Sequence, residues 1–421
     1  MKLFRLCAIG AFLYCLGGQA LAHQSSWQQI AVDSSMEITN DAGESQIINP
    51  SCAFDAVTDP ASGELVPNDF HFYFKPGNPR KLMIFFNGGG ACWNDATCIS
   101  SLALAADPNN RPTYNPTIHN ENSPQVTGGI FNQHRRHNSF SNWTQVFIPY
   151  CTGDIHVGSN DAIYQDASGV LTSPGQPVMV KHRGFDNFLA VREWLKTYYA
   201  NSSHPPRKVL VTGSSAGGYG ATLNFPYVKN AFPHSKVSLF SDAAAGVLSS
   251  GFVSTAFTNN HSWGVESTLP TLFAQYLGSY DAITLNQNMM TLLASAYPES
   301  RFAQYSTEYD AVQVLFLKIS SMIDDGNLNP GDWALSPADY MLFGEWSARM
   351  RGSHEALDET LPNYQYFIGA GSVHTVLTDI FAEPGSSPFY EESVGRVRFK
   401  RWLTRFAEAY RFKKQSVAVE Q

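Results

Sequence analysis

Short apolar runs alternate with amphipathic stretches along the chain, and this pattern predicts an α/β fold. Strands are predicted where β-branched and aromatic residues cluster between turn-forming residues, at residues 70–74, 81–86, 144–149, 209–212, 236–240, 301–305 and 364–368. Helices are predicted at residues 184–200, 269–277, 283–296 and 390–412. The alternation favours a mostly parallel sheet that helices cover on both faces.

Two of the predicted helices have a clear apolar face. Its positions recur at helical spacing, at Phe188, Val191, Leu195 and Tyr198 in the first helix and at Phe399, Leu403, Phe406 and Tyr410 in the last. Residues 252–300 lack a strand pattern and form either a helical cap over a site or a plain surface insertion. No composition break divides residues 23–421, which we expect to form a single α/β domain.

Composition indicates a folded and densely packed protein. Aromatic residues make up 13% of the 421 residues and charged residues 15%, which excludes intrinsic disorder. The formal net charge is −8, and removing the two positive charges of Lys2 and Arg5 with residues 1–22 leaves −10. Because an acidic chain repels phosphate backbones, we expect no binding to nucleic acid.

Residues 1–22 have the pattern of a secretory signal peptide. A basic start is followed by an apolar run over residues 6–16 and an Ala-x-Ala cleavage site that ends at Ala22. A membrane anchor is the alternative, but the apolar run is shorter than the roughly 20 residues that cross a bilayer. We expect a mature protein that begins near His23, is secreted or periplasmic, and has no stable membrane insertion.

Four cysteines follow the predicted signal peptide: Cys52, Cys92, Cys98 and Cys151. An even number in an oxidising compartment predicts two disulfides. Cys92 and Cys98 are close enough for a local loop, which would leave Cys52 for Cys151, but the sequence alone allows three pairings. A zinc site is the alternative. The chain has no Cys-x-x-Cys or His-x-x-x-His pair, and we expect neither a metal nor a cofactor.

The strongest chemical signal is the segment 213–217, Gly-Ser-Ser-Ala-Gly, directly after the predicted strand 209–212. This is the Gly-x-Ser-x-Gly pattern of a nucleophile elbow, where a strand turns sharply into a helix and exposes a serine hydroxyl. Only Ser215 fits its centre, because Ser214 would need glycine where Thr212 stands. The two glycines relieve crowding between strand and helix.

A second glycine-rich segment, residues 87–91, follows the predicted strand 81–86. Backbone N–H groups in such a segment can approach a ligand without interference from side chains, and in α/β-hydrolases a segment at this position supplies half of the oxyanion hole. A phosphate-binding loop and a plain turn are the alternatives. The chain lacks a Gly-x-x-x-x-Gly-Lys pattern here, which disfavours phosphate binding.

A nucleophilic serine needs a base and an acid, which in α/β-hydrolases follow it in the order Ser, Asp or Glu, His. His374 is the one histidine beyond the elbow that lies just after a predicted strand near the chain end. Asp310 follows a later predicted strand than Asp242 does, so Asp310 is the favoured acid and Asp242 the alternative. His354 lies in a charged, helix-like stretch, where we expect it to be solvated.

Asp154 and His156 follow the predicted strand 144–149 and also invite a catalytic interpretation. We favour a structural one, in which the acid accepts hydrogen bonds from loop amides. A disulfide at Cys151 would then hold the loop in place.

A set of separated motifs occurs in a fixed order along the chain: residues 87–94 with Cys98, 148–154, 182–188, 213–218, and the late Asp310 and His374. Together they resemble the pectin acetylesterase family, to which the Notum-type carboxylesterases belong. The resemblance spans residues 52–374 and implies an α/β-hydrolase fold with a helical cap insertion. It also implies the roles of single residues: Ser215 as nucleophile, Asp310 as acid, His374 as base, Gly89, Gly90 and Ala216 as oxyanion donors, and Cys92–Cys98 and Cys52–Cys151 as disulfides.

The residues and the resemblance together predict a secreted, monomeric serine carboxylesterase that cleaves O-acetyl esters of a pectin-like polysaccharide. A deacylase of longer acyl esters of lipid or protein is one alternative, and a binding protein on a hydrolase scaffold is another. The chain has Gly90 and Ala91 where many family members carry a bulky aromatic residue, with Trp93 later, so we expect an altered acyl pocket. The charge of −10 disfavours a polyanionic substrate at neutral pH.

Overall fold

A nine-stranded sheet forms the centre of the computed structural model, which describes residues 26–58, 63–106, 111–118, 122–133, 137–259, 262–275 and 284–420. Its strands are β1 Gln28–Ala31, β2 His71–Lys75, β3 Asn78–Phe86, β4 Trp143–Ile148, β5 Lys208–Ser214, β6 Lys236–Asp242, β7 Arg301–Thr307, β8 Tyr364–Gly369 and β9 Val417–Ala418. All seven predicted strands are confirmed, whereas the two edge strands were not predicted. The predicted signal peptide, residues 1–22, lies outside the described residues.

The strand order in the sheet is β1-β2-β4-β3-β5-β6-β7-β8-β9. Strand β2 is antiparallel to both β1 and β4, and every other neighbouring pair is parallel. The prediction of a mostly parallel sheet in an α/β fold is therefore confirmed. Parallel pairing places the carboxyl ends of β3, β5, β6, β7 and β8 at one edge, where the candidate site lies.

Six longer helices accompany the sheet: α1 Gly184–Ala200, α2 Ala216–Ala231, α3 Leu285–Ala296, α4 Ala311–Asp324, α5 Tyr340–Thr360 and α6 Phe399–Glu408. Short helical segments are Asp95–Cys98, Ser100–Ala106, Gly129–Phe131, Ser250–Val253, Ser254–Asn259, Val265–Ser267, Thr271–Ala274, Pro330–Asp332, Pro337–Asp339 and Pro388–Glu391. Four hairpins lie outside the central sheet: Met36–Thr39 with Ser45–Ile48, Ala56–Thr58 with Leu65–Pro67, Asn160–Asp166 with Gln176–His182, and Ser393–Val394 with Val397–Arg398. Within the described residues, no helix combines the length and apolar character that crossing a membrane requires.

Apolar side chains pack on both faces of the sheet, as the alternation within β3 illustrates. Leu82, Ile84 and Phe86 join one buried cluster, and Met83 and Phe85 join another. Successive side chains of a strand point to opposite faces, so a strand covered on both sides is apolar throughout. Helices α1 to α5 contribute to the first cluster and α6 to the second, which confirms helices on both faces.

Helix boundaries agree with the sequence at α1 and disagree at the end of the chain. The predicted helix 390–412 is wrong at both ends, because a hairpin with Gly395 at φ 57° interrupts it and the helix runs only from Phe399 to Glu408. Tyr410, predicted on the buried face, is 83% exposed. The predicted helix 269–277 shrinks to the short segment Thr271–Ala274, and its end lies outside the described residues.

Candidate active site

Ser215 lies at the turn between β5 and α2 with φ 57° and ψ −126°. This backbone conformation is rare for a residue with a side chain. The flanking glycines explain how it fits: a Cβ at Gly213 would lie 2.2 Å from the Gly217 oxygen, and one at Gly217 would lie 1.9 Å from the Phe86 oxygen. The segment 213–217 therefore forms a nucleophile elbow in which the strand, the helix and the end of β3 are in close contact.

The glycine-rich segment after β3 lies against the elbow. A Cβ at Gly88 would lie 2.6 Å from the Ser214 oxygen, and Gly90 has φ 80° with the Thr113 oxygen 1.8 Å from where its Cβ would be. The Ala91 N–H donates to the Thr113 oxygen at 2.9 Å and fixes the segment in this path. No larger side chain fits at these positions.

Three backbone N–H groups beside Ser215 have no acceptor in the described part of the chain: those of Gly89, Gly90 and Ala216. Gly90 and Ala216 line one pocket together with Ser215, and Gly89 lines an adjoining groove that also contains Ser215. Unpaired N–H groups at a helix N-terminus and a glycine turn are suited to binding an oxyanion.

His374, on the loop after β8, pairs with Asp310, which follows β7. Its Nδ1 lies 2.8 Å from Asp310 Oδ1 and 2.9 Å from Oδ2, and both side chains are buried. Because a carboxylate only accepts, Nδ1 carries the hydrogen. The opposite nitrogen, Nε2, is buried without a partner among the described residues, and His374 shares both pocket and groove with Ser215.

Asp310 is held by the start of α4. Its carboxylate accepts from the backbone N–H groups of Val312 at 3.1 Å and Gln313 at 3.0 Å, which are otherwise unsatisfied at a helix N-terminus. The Gln313 amide Nε2 donates to the second oxygen at 2.9 Å. These bonds fix the orientation of the carboxylate that meets His374.

Asp242, the alternative acid, does not contact the His374 ring by a hydrogen bond. It accepts instead from Ser214 Oγ at 2.7 Å and from the backbone N–H groups of Val376 and Leu377. Burial raises the pKa of its carboxyl to about 6. The sequence could place Asp242 after a strand, but gave no signal for its contact with a loop some 130 residues away.

His354 is buried, contrary to the prediction that it is solvated. Its Nδ1 lies 2.8 Å from the Tyr364 hydroxyl of β8, and burial lowers the pKa of the imidazole to about 3. The charged residues around His354 belong to the exposed face of α5, whereas His354 itself lies on the buried face. The charge of the stretch was therefore a poor guide to its exposure. His354 is thus a core residue that lines neither the pocket nor the groove at Ser215.

Asp154 and His156 have the structural role that the sequence favoured. Asp154 accepts from the Gly184 N–H at 2.7 Å and from Thr152 Oγ1 at 2.6 Å. His156 Nε2 lies 2.8 Å from the Asn87 oxygen, at the start of the glycine-rich segment. Burial raises the pKa of Asp154 to about 6 and lowers that of His156 to about 4, so the imidazole is a neutral donor to this oxygen.

An apolar pocket opens beside Ser215. Its exposed surface is mainly apolar, as is typical of small-molecule sites. Its apolar lining includes Ile155, Leu223, Val247, Leu248, Phe252, Phe257, Leu285, Met289, Val312 and Phe316. Four of these residues belong to the segment 252–300, so its described part forms one wall of the pocket. The sequence did not identify these lining residues, because they come from five separate segments.

A second, wider groove meets the pocket at Ser215 and His374. Its lining is mixed, with the polar side chains Asn87, Thr113, Asn115, Asn122, Thr375 and Thr378. Trp333 and Phe381 supply apolar surface there, and the Phe381 ring stands edge-on to His374 with 5.0 Å between centroids. The site thus has an apolar side and a polar side with the serine between them.

The sequence model of the pectinacetylesterase family matches residues 69–328, more than half of the chain. The chain belongs to this family. The resemblance inferred from the motifs is therefore confirmed, and the family assignment indicates a carboxylic ester hydrolase.

Relatives within the family include two curated Notum proteins. The palmitoleoyl-protein carboxylesterase NOTUM of Schmidtea mediterranea is 27% identical over 168 residues, which cover 38% of this chain and 27% of that protein. The palmitoleoyl-protein carboxylesterase notum1a of Danio rerio is 25% identical over 157 residues, which cover 36% and 27%. The matched region thus spans about a quarter of the length of these relatives.

Two solved structures of the Wnt deacylase Notum from Drosophila are also similar to this family member. Both have a TM-score of 0.49. The chain in crystal form I is 17% identical, and the match covers 83% of this chain and 86% of the Drosophila chain. The chain in crystal form II is 16% identical, and the match covers 92% of this chain and 98% of the Drosophila chain.

The four cysteines form two disulfides, Cys52–Cys151 and Cys92–Cys98, as the family resemblance implied. Cys92 and Cys98 lie close to His182, a grouping that could suggest a metal site. Their sulfurs are bonded to each other, and the two His182 nitrogens lie 2.8 Å from the Thr152 oxygen and the Tyr164 hydroxyl. In this family member the cluster has no free ligand for an ion.

Proposed function

We propose that this chain is a serine carboxylesterase with Ser215 as nucleophile, His374 as base and Asp310 as acid. The observation that carries the proposal is the joint placement of the Ser215 elbow and the buried His374–Asp310 pair around one pocket. A binding protein would have no need of a strained serine and an unpaired histidine nitrogen at one pocket.

In the first step, His374 Nε2 takes the proton of Ser215 Oγ while Oγ attacks the ester carbonyl carbon. The carbonyl oxygen gains the negative charge and accepts hydrogen bonds from the N–H groups of Gly89, Gly90 and Ala216. Asp310 stabilises the imidazolium that forms. The C–O bond then breaks, the imidazolium gives its proton to the leaving alcohol, and an acyl-enzyme remains.

In the second step, His374 takes a proton from water, and the hydroxyl adds to the acyl carbon. The same N–H groups stabilise the second oxyanion. The bond between Ser215 Oγ and the acyl carbon then breaks, and the His374 imidazolium returns the proton to Oγ. The carboxylic acid is released and the enzyme returns to its starting state.

The apolar pocket favours an acyl group longer than acetyl. An alkyl chain in contact with the apolar lining would gain about 0.8 kcal/mol for each buried methylene, whereas an acetyl methyl would contact few of these side chains. The planarian relative is a palmitoleoyl-protein carboxylesterase, which agrees with a long acyl substrate. The described part of residues 252–300 then acts as the wall of an acyl-binding site, which supports the cap interpretation.

Hydrolysis of O-acetyl groups on a polysaccharide is the second candidate, and the groove supports it. Amide and hydroxyl side chains such as Asn115 and Asn122 suit a polyhydroxylated alcohol. Arg111 is the one fully charged side chain in the described lining, and it opposes the repulsion that the acidic chain exerts on an anionic sugar.

Substitution Ser215→Ala tests the mechanism on a chromogenic ester. We expect turnover to fall by about 10⁴-fold or more, because the residual rate comes from oxyanion binding alone. Covalent labelling by a fluorophosphonate should disappear in the same variant, and Ser214→Ala should still be labelled. Unchanged hydrolysis by Ser215→Ala would rule the mechanism out.

A series of p-nitrophenyl esters with acyl chains of increasing length tests the substrate class. We expect kcat/KM to rise from acetate to the medium chains, and Val247→Phe to reduce it selectively for long chains because the ring fills the pocket. The matched control is Val228→Phe, a buried valine of α2 outside the pocket lining. Greatest activity on acetate together with acetate release from acetylated pectin would favour the second candidate.

We further propose that residues 1–22 are removed on export and that residues 23–421 act as a single-domain monomer. Two disulfides are in agreement with an oxidising compartment. Mass analysis of the exported chain should give a mature end near His23, and light scattering should give one chain. Retention of Met1 in the exported protein would contradict the cleavage.

A further inference from the structure

We propose that Asp242 is a positioning residue, a buried carboxylate that holds the nucleophile turn and the histidine loop in register. This inference rests on the proposed function, since it assigns a task in the same site. The Asp242 side chain makes no hydrogen bond to a residue that lines the apolar pocket, nor to the His374 ring. It acts instead through the residues adjacent to the two reacting groups.

The carboxylate of Asp242 receives donors from both loops. On the nucleophile side, Ser214 Oγ donates at 2.7 Å from the residue directly before Ser215. On the histidine side, the N–H of Val376 lies 3.1 Å and 3.2 Å from the two oxygens, and the N–H of Leu377 lies 3.0 Å from Oδ2. These two amides follow His374 by two and three positions.

The backbone of Asp242 adds a fourth contact. The Ser215 N–H donates to the Asp242 carbonyl oxygen at 2.8 Å, which holds the strained serine against the end of β6. The next residue, Ala243, has φ 54° and turns the chain away directly after this contact. One residue therefore bonds to the segment before the nucleophile, to the nucleophile backbone and to the loop that carries the base.

The chemistry of the site requires a carboxylate at this position. All three partners of the side chain are donors, and an ionised aspartate accepts without donating. An asparagine of the same shape would turn an NH₂ group towards at least one N–H or hydroxyl donor. Among the described residues, no lysine or arginine pairs with Asp242, so hydrogen bonds stabilise its charge in a fully buried position.

Two titratable side chains from neighbouring elements face Asp242: His374 and Tyr305 of β7. Burial raises the pKa of the Asp242 carboxyl, and the positive charge of a protonated His374 opposes that rise. Burial also raises the pKa of the Tyr305 phenol, and the nearby carboxylates of Glu392, Asp242 and Asp310 raise it further.

Asp242→Asn is the test, with kcat and KM measured separately on a chromogenic ester. We expect kcat to fall by about 10- to 100-fold with KM changed less than threefold, because the reacting groups are misplaced rather than absent. Ser214→Ala removes one of the bonds without burying a new polar group, and a loss of about 3- to 10-fold is expected.

The matched control is Asp154→Asn, a second fully buried aspartate that also holds loop amides but contacts neither Ser214 nor the histidine loop. It should lower the melting temperature with a smaller fall in kcat than Asp242→Asn. Wild-type kinetics in Asp242→Asn, an increase in KM without a fall in kcat, or an equal fall in kcat in the control would overturn the positioning role. If Asp242→Asn does not fold, wild-type kcat/KM in Ser214→Ala would overturn it. Activity in Ser215→Ala would instead count against the proposed function.

Discussion

At the scale of the residue, the site depends on a few strained backbone positions. Ser215 adopts a conformation that costs about 1–3 kcal/mol, and such strain persists only where the surroundings determine it. Hydrogen bonds on both sides of Ser215 fix its backbone conformation. The Ser215 N–H donates to the Asp242 carbonyl oxygen, and the Ser215 carbonyl oxygen accepts from the Gly218 N–H at 2.8 Å. The result is a hydroxyl held on a rigid turn.

Gly90→Ala tests the glycine-rich segment at this scale. The new Cβ would lie 1.8 Å from the Thr113 oxygen, so the segment must move. Its N–H groups would then no longer point at the position of the oxyanion. We expect kcat to fall by about 10²–10³-fold, the effect of losing one oxyanion donor. The matched control is Gly175→Ala, which has the same φ of 80° and no atom within 4 Å of the added Cβ. Equal kinetic losses in the two variants would contradict the special role of Gly90.

At the scale of the element, the two disulfides have different tasks. Cys52–Cys151 joins residues 99 apart in sequence and ties the loop after β4 to the N-terminal region. Cys92–Cys98 joins residues six apart and follows the glycine-rich segment directly. A Cβ at Gly153 would contact the Cys92 sulfur at 2.8 Å, so this second disulfide packs against the loop that supports the site.

Replacing both cysteines of one disulfide with alanine, in turn for each disulfide, should separate their effects on stability and on the site. Removing Cys52–Cys151 is expected to lower the free energy of unfolding by about 4–5 kcal/mol, because the unfolded chain regains the entropy of a long loop, and removing Cys92–Cys98 by only about 2 kcal/mol. We expect the second pair to affect kcat more, since it borders the N–H groups of Gly89 and Gly90. Denaturant unfolding and kcat measured on both variants check this; the reverse order of stabilities would contradict it.

At the scale of the whole molecule, burial of ionisable groups couples stability to pH. Burial lowers the pKa of His156 and His182 to about 4 and that of His354 to about 3, while it raises the pKa of Asp154 and Asp242 to about 6. The histidine contribution to stability is present above the unfolded value of 6.5 and is lost as the pH falls towards 4. The aspartates act in the opposite sense, because the folded state binds their protons first.

For these five groups the combined effect should be acid destabilisation. At a pH between 5 and 6 they hold about three histidine protons in the unfolded chain and about two aspartate protons in the folded chain, so their contribution to the free energy of unfolding should fall by about 1.4 kcal/mol for each unit decrease in pH. Melting temperature measured from pH 7 to pH 5 checks this. His354→Asn should flatten the dependence, whereas the exposed control His234→Asn should leave it unchanged. An identical slope in wild type and His354→Asn would refute the assignment.

Much of the fold could be predicted because the sheet interior is covered on both faces. Strands such as β3 and β8 contain continuous apolar runs, at residues 82–86 and 366–368, so their pattern can be recognised without knowledge of their neighbours. The edge strands β1 and β9 could not be found in this way, because they are short and half exposed. Helix α6 was misjudged, since the turn at Gly395 interrupts an apolar pattern that continues beyond it.

The amino-acid sequence by itself determined the elbow at Ser215, the order in which Asp310 and His374 follow it, and the alternation of strands and helices. These features are local, because they depend on residue type and spacing along one segment. The tertiary structure alone decided that Asp242 bridges two loops, that His354 is buried, and that residues from five segments enclose an apolar pocket. Such contacts join positions far apart in the chain, and only packing of the sheet and its helices brings them together.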